Sequence, residues 1–173
     1  MKNLSIIILL ITAVNAACDK TSSPQVIGDD VAIYLVDNYE FDTLTREIYE
    51  NTITLKSEPL LAYDDIVAYH RADFAFIVSD DKKTELTGIL KDVAVQAFAV
   101  TVDKEVIYWG YFWPAYMSMM CYWVTIDPLF VFATDNEIPV ELAYPTSEYT
   151  LLNHDPRNDP RILGVFKRDG KLQ

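Results

Sequence analysis

The amino-acid sequence predicts an α+β fold, with a single mixed or antiparallel sheet and helices mainly on one face. Three observations carry this. Val31–Val36 and Phe74–Val78 are short apolar runs rich in β-branched and aromatic residues, the pattern of buried strands. Phe98–Trp109 (FAVTVDKEVIYW) sets two such runs around Asp103-Lys104, the layout of a tight hairpin. Two other stretches, Asp81–Asp92 and the segment after Asp159, space their apolar residues along one face of a helix.

In chain order, Asp37-Asn38 turns the chain after the first strand. Phe41, Leu44 and Ile48 then fall at helical spacing, so a helical turn over Tyr39–Thr45 with Asn38 as its cap is expected. Tyr49, Ile53 and Leu55 alternate with Glu50, Thr52 and Thr54, which predicts a strand. Pro59 breaks the chain, and Asp64 is placed to cap a short helix over Asp65–Tyr69. Ser79 or Asp80 caps the helix over Asp81–Asp92, with Leu86, Ile89 and Leu90 inward and Lys82, Lys83, Glu85 and Lys91 facing water. Gly88 weakens that helix by about 1 kcal/mol relative to Ala, which implies that another element approaches there.

With a two-residue loop the hairpin sets Val102 opposite Glu105, Val100 opposite Ile107 and Phe98 opposite Trp109, and places Lys104 where φ > 0 is required; Lys is unusual there, so a longer loop is the alternative. Phe130–Phe132 and Val140–Ala143 read as further strands. Asp159 caps the last helix, Pro160 takes its first position, Ile162, Leu163, Val165 and Phe166 form its buried side, and Gly170 closes it.

The chain opens on MKNLSIIILLITAVNAAC: one positive charge at Lys2, an apolar run from Leu4 to Val14, and small residues before Cys18. That is a secretory signal in layout and too short for a membrane span. Residues 1–17 read as the signal peptide, 18–25 as a tether (DKTSSP is too polar to bury a core) and 26–173 as one α+β domain. Of the 14 basic residues only Lys2 precedes Cys18 and no acid does, so the remaining chain carries a formal charge of −13. Nucleic acid is excluded as a partner, because phosphate binding needs clustered Lys and Arg and the densest basic stretches are only Lys82-Lys83 and Lys167-Arg168.

Catalytic chemistry has little to draw on. His70 and His154 stand far apart in no ligand-spaced motif, and Cys121 among aromatic residues lacks the electropositive setting that activates a thiol. Five glycines leave no phosphate loop. No catalytic residue, metal site or cofactor is assigned. The polar segment His154–Arg161 reads as an Asp–Arg clasp that fixes the last helix. From Val106 to Ile126 no residue is charged, and eight rings fall within the 16 positions from Tyr108 to Trp123. They either pack as core or form an exposed patch, with Trp109, Tyr111, Trp113, Tyr116 and Trp123 as the candidate ligand or partner surface.

Ala16, Ala17 and Cys18 resemble the lipobox of bacterial lipoprotein precursors, with Asn15 standing where Leu or Val is usual. The resemblance implies that Cys18 becomes the acylated mature N-terminus and that Cys121 is then a lone thiol, which should be buried. Ordinary cleavage would instead leave Cys18 free to pair with Cys121. Two weaker resemblances follow. Leu60, Leu61, Asp65 and Ile66, then Phe74–Val78, then Phe98–Tyr108 are similar in order to the head subdomain of the first periplasmic domain of the SecD translocation protein. Gly110–Pro114 and Asp155–Arg161 resemble segments of bacterial lipoproteins with no assigned activity. None of these transfers a catalytic residue.

The expectation is therefore a non-catalytic binding or accessory lipoprotein of a bacterial cell envelope, held to a membrane through Cys18, with an envelope protein or a glycan as its partner. The alternative is an envelope hydrolase that uses a carboxylate pair, with glycans as candidate substrate.

Overall fold

A computed structural model describes residues 28–133 and 135–173; the leader, Cys18 and the 18–25 tether lie outside them. Among the described residues the strands are β1 (Val31–Asn38), β2 (Thr54–Leu55), β3 (Ile66–His70), β4 (Ala75–Val78), β5 (Gln96–Val102), β6 (Glu105–Phe112), β7 (Val124–Ile126) and β8 (Glu137–Pro139). The helices are α1 (Asp80–Leu90) and α2 (Pro160–Arg168). The class is α+β, but the single sheet expected from sequence divides in two: a mixed sheet in the order β2-β1-β5-β6-β7 and an antiparallel sheet in the order β3-β4-β8.

The division follows from side-chain patterning. Both faces of the larger sheet are apolar, so both must be covered. One face presents Val31, Ile33, Phe98, Val100, Tyr108, Phe112 and Ile126 to a core completed by Tyr69 and Phe76 of the smaller sheet, Leu86 and Leu90 of α1, and Ile162, Val165 and Phe166 of α2. Both helices thus serve the same core. The other face presents Val36, Ala97, Ala99, Trp109 and Tyr111 to a second core with Trp113, Cys121, Trp123 and Ile48. Among the described residues no α-helix covers this face; the loop after β1 does.

That loop replaces the expected helical turn over Tyr39–Thr45. Asp42 Oδ1 accepts the backbone N–H groups of Leu44 and Thr45 at 2.9 and 2.8 Å, offering the chain a tight turn in place of a helix. Phe41 then bridges Ile48 antiparallel, Arg46 takes φ 62°, and Leu44 is left 89% exposed. After Tyr49 only Thr54–Leu55 is strand, preceded by one 3-10 turn. The helix expected over Asp65–Tyr69 is likewise corrected: a 3-10 turn at Tyr63–Asp65 leads into β3, whose Tyr69 stacks on Phe166 at 5.2 Å.

Helix α1 begins where Ser79 Oγ accepts the Lys82 N–H at 3.2 Å. Leu86 and Leu90 are buried, but Ile89 is exposed and Lys82 is not: its ammonium lies 3.0 Å from Asp65 and 3.2 Å from Glu85. A Cβ on Gly88 would meet nothing within 4 Å, so no element among the described residues approaches there. Phe130–Phe132 belongs to a 3-10 helix capped by Asp127, and the strand expected at Val140–Ala143 lies earlier, at Glu137–Pro139.

At α2 the Asp159 cap accepts the Arg161 N–H at 2.9 Å, Pro160 leads the helix, and Gly170 at φ 69° lets Lys171 N–H reach Phe166 O at 2.8 Å. The Asp–Arg clasp is present twice. Arg157, buried and 3.6 Å over the Phe74 ring, donates to Asp155 at 2.9 and 2.6 Å and to Val140 O at 2.8 Å. Arg161 donates to Asp159 at 2.9 and 3.0 Å.

Candidate functional site

The uncharged aromatic segment is β6, a loop and β7, and no helix among the described residues is long and apolar enough to cross a membrane. As an exposed patch, the five-ring surface expected from sequence is corrected. Trp109, Tyr111, Trp113 and Trp123 are all interior and only Tyr116, at 66% exposure, stands out. The reason is the second face of the sheet, which has no α-helix over it among the described residues and uses the rings as its core.

Three contacts tie the 39–53 loop to those rings. Trp123 Nε1 donates to Thr45 O at 2.7 Å, and the Tyr111 hydroxyl donates to Arg46 O at 2.8 Å. The Arg46 guanidinium lies 5.7 Å over the Trp113 ring. Cys121 is buried in the same layer, and burial pushes its thiol up to about 11, leaving a neutral, unreactive group. Burial also pushes the Tyr111 phenol above its ordinary value.

Pinned this way, the loop holds Glu47, Tyr49, Glu50 and Asn51 at the rim of a groove of about 770 Å³. Its floor and walls are Ile48, Val106, Trp109, Trp123 and Leu152, with the two indoles 5.2 Å apart and inclined at 47°. Apolar area at the bottom offers binding energy, and polar groups at the rim offer orientation. None of the side chains of Glu47, Glu50, Asn51 and Trp109 has a hydrogen-bond or ion-pair partner among the described residues. Sequence reasoning found Trp109 and Trp123 through ring density. It missed Glu47 and Glu50, since a loop folded by one Asx turn leaves no periodic signal.

A second groove, about 580 Å³, is lined by Trp113 and Tyr144, with Asp127, Asp135, Glu137 and Glu141 along it. Two of its four carboxylates, Asp127 and Glu137, are engaged within the fold. Asp127 accepts backbone N–H groups of Leu129 and Ala115 at 2.9 and 3.4 Å, Glu137 meets His70 Nδ1 at 3.3 Å, and Lys83 reaches the carbonyls of Ala133 and Asp135. No group of three or more His, Cys, Asp or Glu among the described residues is arranged to hold a metal ion. The Trp109–Trp123 groove is thus the candidate site. Compared with known protein families, curated proteins and solved structures, the chain matches none.

Proposed function

We propose that the protein is a non-catalytic binding module of a bacterial cell envelope, held to a membrane by a lipid on Cys18, which takes its ligand in the Trp109–Trp123 groove. The observation that carries the reading is the groove itself: an indole floor with the polar groups of Glu47, Glu50, Asn51 and Trp109 unengaged around it. Spare hydrogen-bonding groups over an apolar floor suit recognition. The lipobox-like Ala16-Ala17-Cys18 and the polar stretch after it support the anchor.

One observation favours a second reading. Glu47 and Glu50 share the rim of one ring-lined groove, as an envelope hydrolase acting through two carboxylates requires. A panel of peptides and envelope glycans, followed by tryptophan fluorescence and by product analysis, separates the two. Binding without turnover, weakened in Trp109→Phe, supports the module. Turnover abolished by both Glu47→Gln and Glu50→Gln supports the hydrolase.

A further inference from the structure

We propose that β6 accepts an extended segment of a partner protein along its open edge at Glu105–Trp109, and that this segment carries Lys or Arg alternating with apolar residues. The inference rests on the groove reading above and names the ligand class for that groove.

The first support is main-chain pairing. β6 pairs with β5 from Glu105 to Phe112 on one side, with Ile107 alone unpaired, but β7 pairs with it on the other side only over Gly110–Phe112. Next to Trp109 the chain before β7 leaves the sheet, because Tyr122 O accepts the Leu151 N–H at 3.1 Å and the Thr150 hydroxyl at 3.3 Å and draws that segment away. Among the described residues no strand takes its place beside Glu105–Trp109. Such an edge is a template for another strand, which would continue the line of β7.

The second support is what the edge borders. Val106 and Trp109, on the edge strand itself, also line the groove. A strand laid there would alternate its side chains, placing every second one over the indoles and toward Glu47 and Glu50. The groove lining holds two carboxylates and no Lys or Arg. At the start of the edge Arg161 is already held by Asp159 and Glu105, and Lys104 lies in the hairpin turn, outside the groove lining. The chain as a whole carries a formal −12. A second copy of this chain would bring like charges together, whereas Lys or Arg at every second position can lay its aliphatic stem over the indoles and reach the carboxylates with its charged head, the apolar residues between facing the other side.

The test uses the full-length protein in detergent and synthetic peptides alternating Lys with Val or Leu. Each is matched by a Glu-for-Lys version and by an analogue N-methylated throughout its backbone. The Lys peptides should bind and change the indole fluorescence. They should also slow hydrogen exchange at the amides of Glu105–Trp109, while the Glu and N-methylated versions bind at least about tenfold more weakly, the loss expected when charge or main-chain pairing is removed. Glu47→Gln with Glu50→Gln should lower affinity for the Lys peptides similarly, with exchange protection elsewhere unchanged as the check on folding. Equal binding of the N-methylated peptide, protection that falls outside Glu105–Trp109, or binding by none of the Lys peptides overturns the inference. A glycan that quenches the indoles without protecting that edge overturns it while leaving the groove reading intact; silence across both panels removes both.

Discussion

Tyr108 of β6 lies across from Val100 of β5, and Ile107 stands unpaired between that pair and the next, Val106 with Thr101. This bulge turns the rest of β6 over, so that Tyr108 points into the helix-covered core and Trp109, beside Ala99, points into the groove layer. The Tyr108 hydroxyl is buried there with no hydrogen-bond partner among the described residues, and burial raises its phenol far above the ordinary value. Tyr108→Phe should therefore stabilise the protein by about 1 kcal/mol, since an unsatisfied buried hydroxyl carries a desolvation cost of that order. Urea denaturation measures it; a loss of stability would mean that the hydroxyl is satisfied.

Gly110 and Gly88 should respond to Ala in opposite directions. A Cβ on Gly110 would sit 2.3 Å from Val124 O and 2.7 Å from the Phe98 ring, so Gly110→Ala must push β7 away and should cost about 1–3 kcal/mol. On Gly88 of α1 a Cβ meets nothing, and Gly88→Ala should gain about 0.5–1 kcal/mol from helix propensity. Thermal unfolding of both variants provides the comparison, and a neutral Gly110→Ala would deny the close β6–β7 contact.

The rings divide by burial. Trp123→Ala should cost about 3–5 kcal/mol, the range for a truncated core aromatic, because the indole is 5% exposed and its N–H holds the Thr45 carbonyl. Tyr116→Ala should stay within about 0.5 kcal/mol. Comparable losses in the two would place Tyr116 in the core.

The Asp–Arg clasps make stability depend on acid. Burial opposes ionisation of Asp155, but the hydrogen bonds from Arg157 outweigh it and hold its carboxyl below the ordinary range. At Asp159 the hydrogen bonds from Arg161 lower the carboxyl against partial burial. Both groups ionise more readily folded than unfolded, so their contribution is complete above about pH 4 and fades as the pH drops below it. Asp155→Asn and Asp159→Asn should lower Tm at neutral pH and flatten its decline in acid. An acid limb unchanged by both substitutions would contradict this.

Much of the fold was legible where one residue determines local geometry. The cap at Asp159, the closing Gly170, the Ser79 cap and the positive-φ turn at Asp103-Lys104 all stand as the sequence implies. Register beyond the hairpin turn was not legible, because an added residue such as Ile107 leaves no compositional trace. The packing of the rings as core was one of the two readings their density left open, and it is the one found for all but Tyr116 among the five candidates. Dense Tyr and Trp say that a large apolar surface exists, but whether it faces outward depends on the 39–53 loop, whose path is set by Asp42 and by long-range hydrogen bonds to Trp123 and Tyr111. The groove rim at Glu47 and Glu50 comes from that same loop and was hidden for the same reason.

The measurement that bears most directly on the account is the intact mass and detergent partitioning of the protein expressed with its own leader in a bacterium that processes lipoproteins, beside Cys18→Ala. The account predicts a diacylglycerol-sized mass increment and detergent-phase recovery, both abolished in Cys18→Ala. A soluble product cleaved without added lipid would contradict the anchor and leave a secreted protein whose groove must find its ligand in solution.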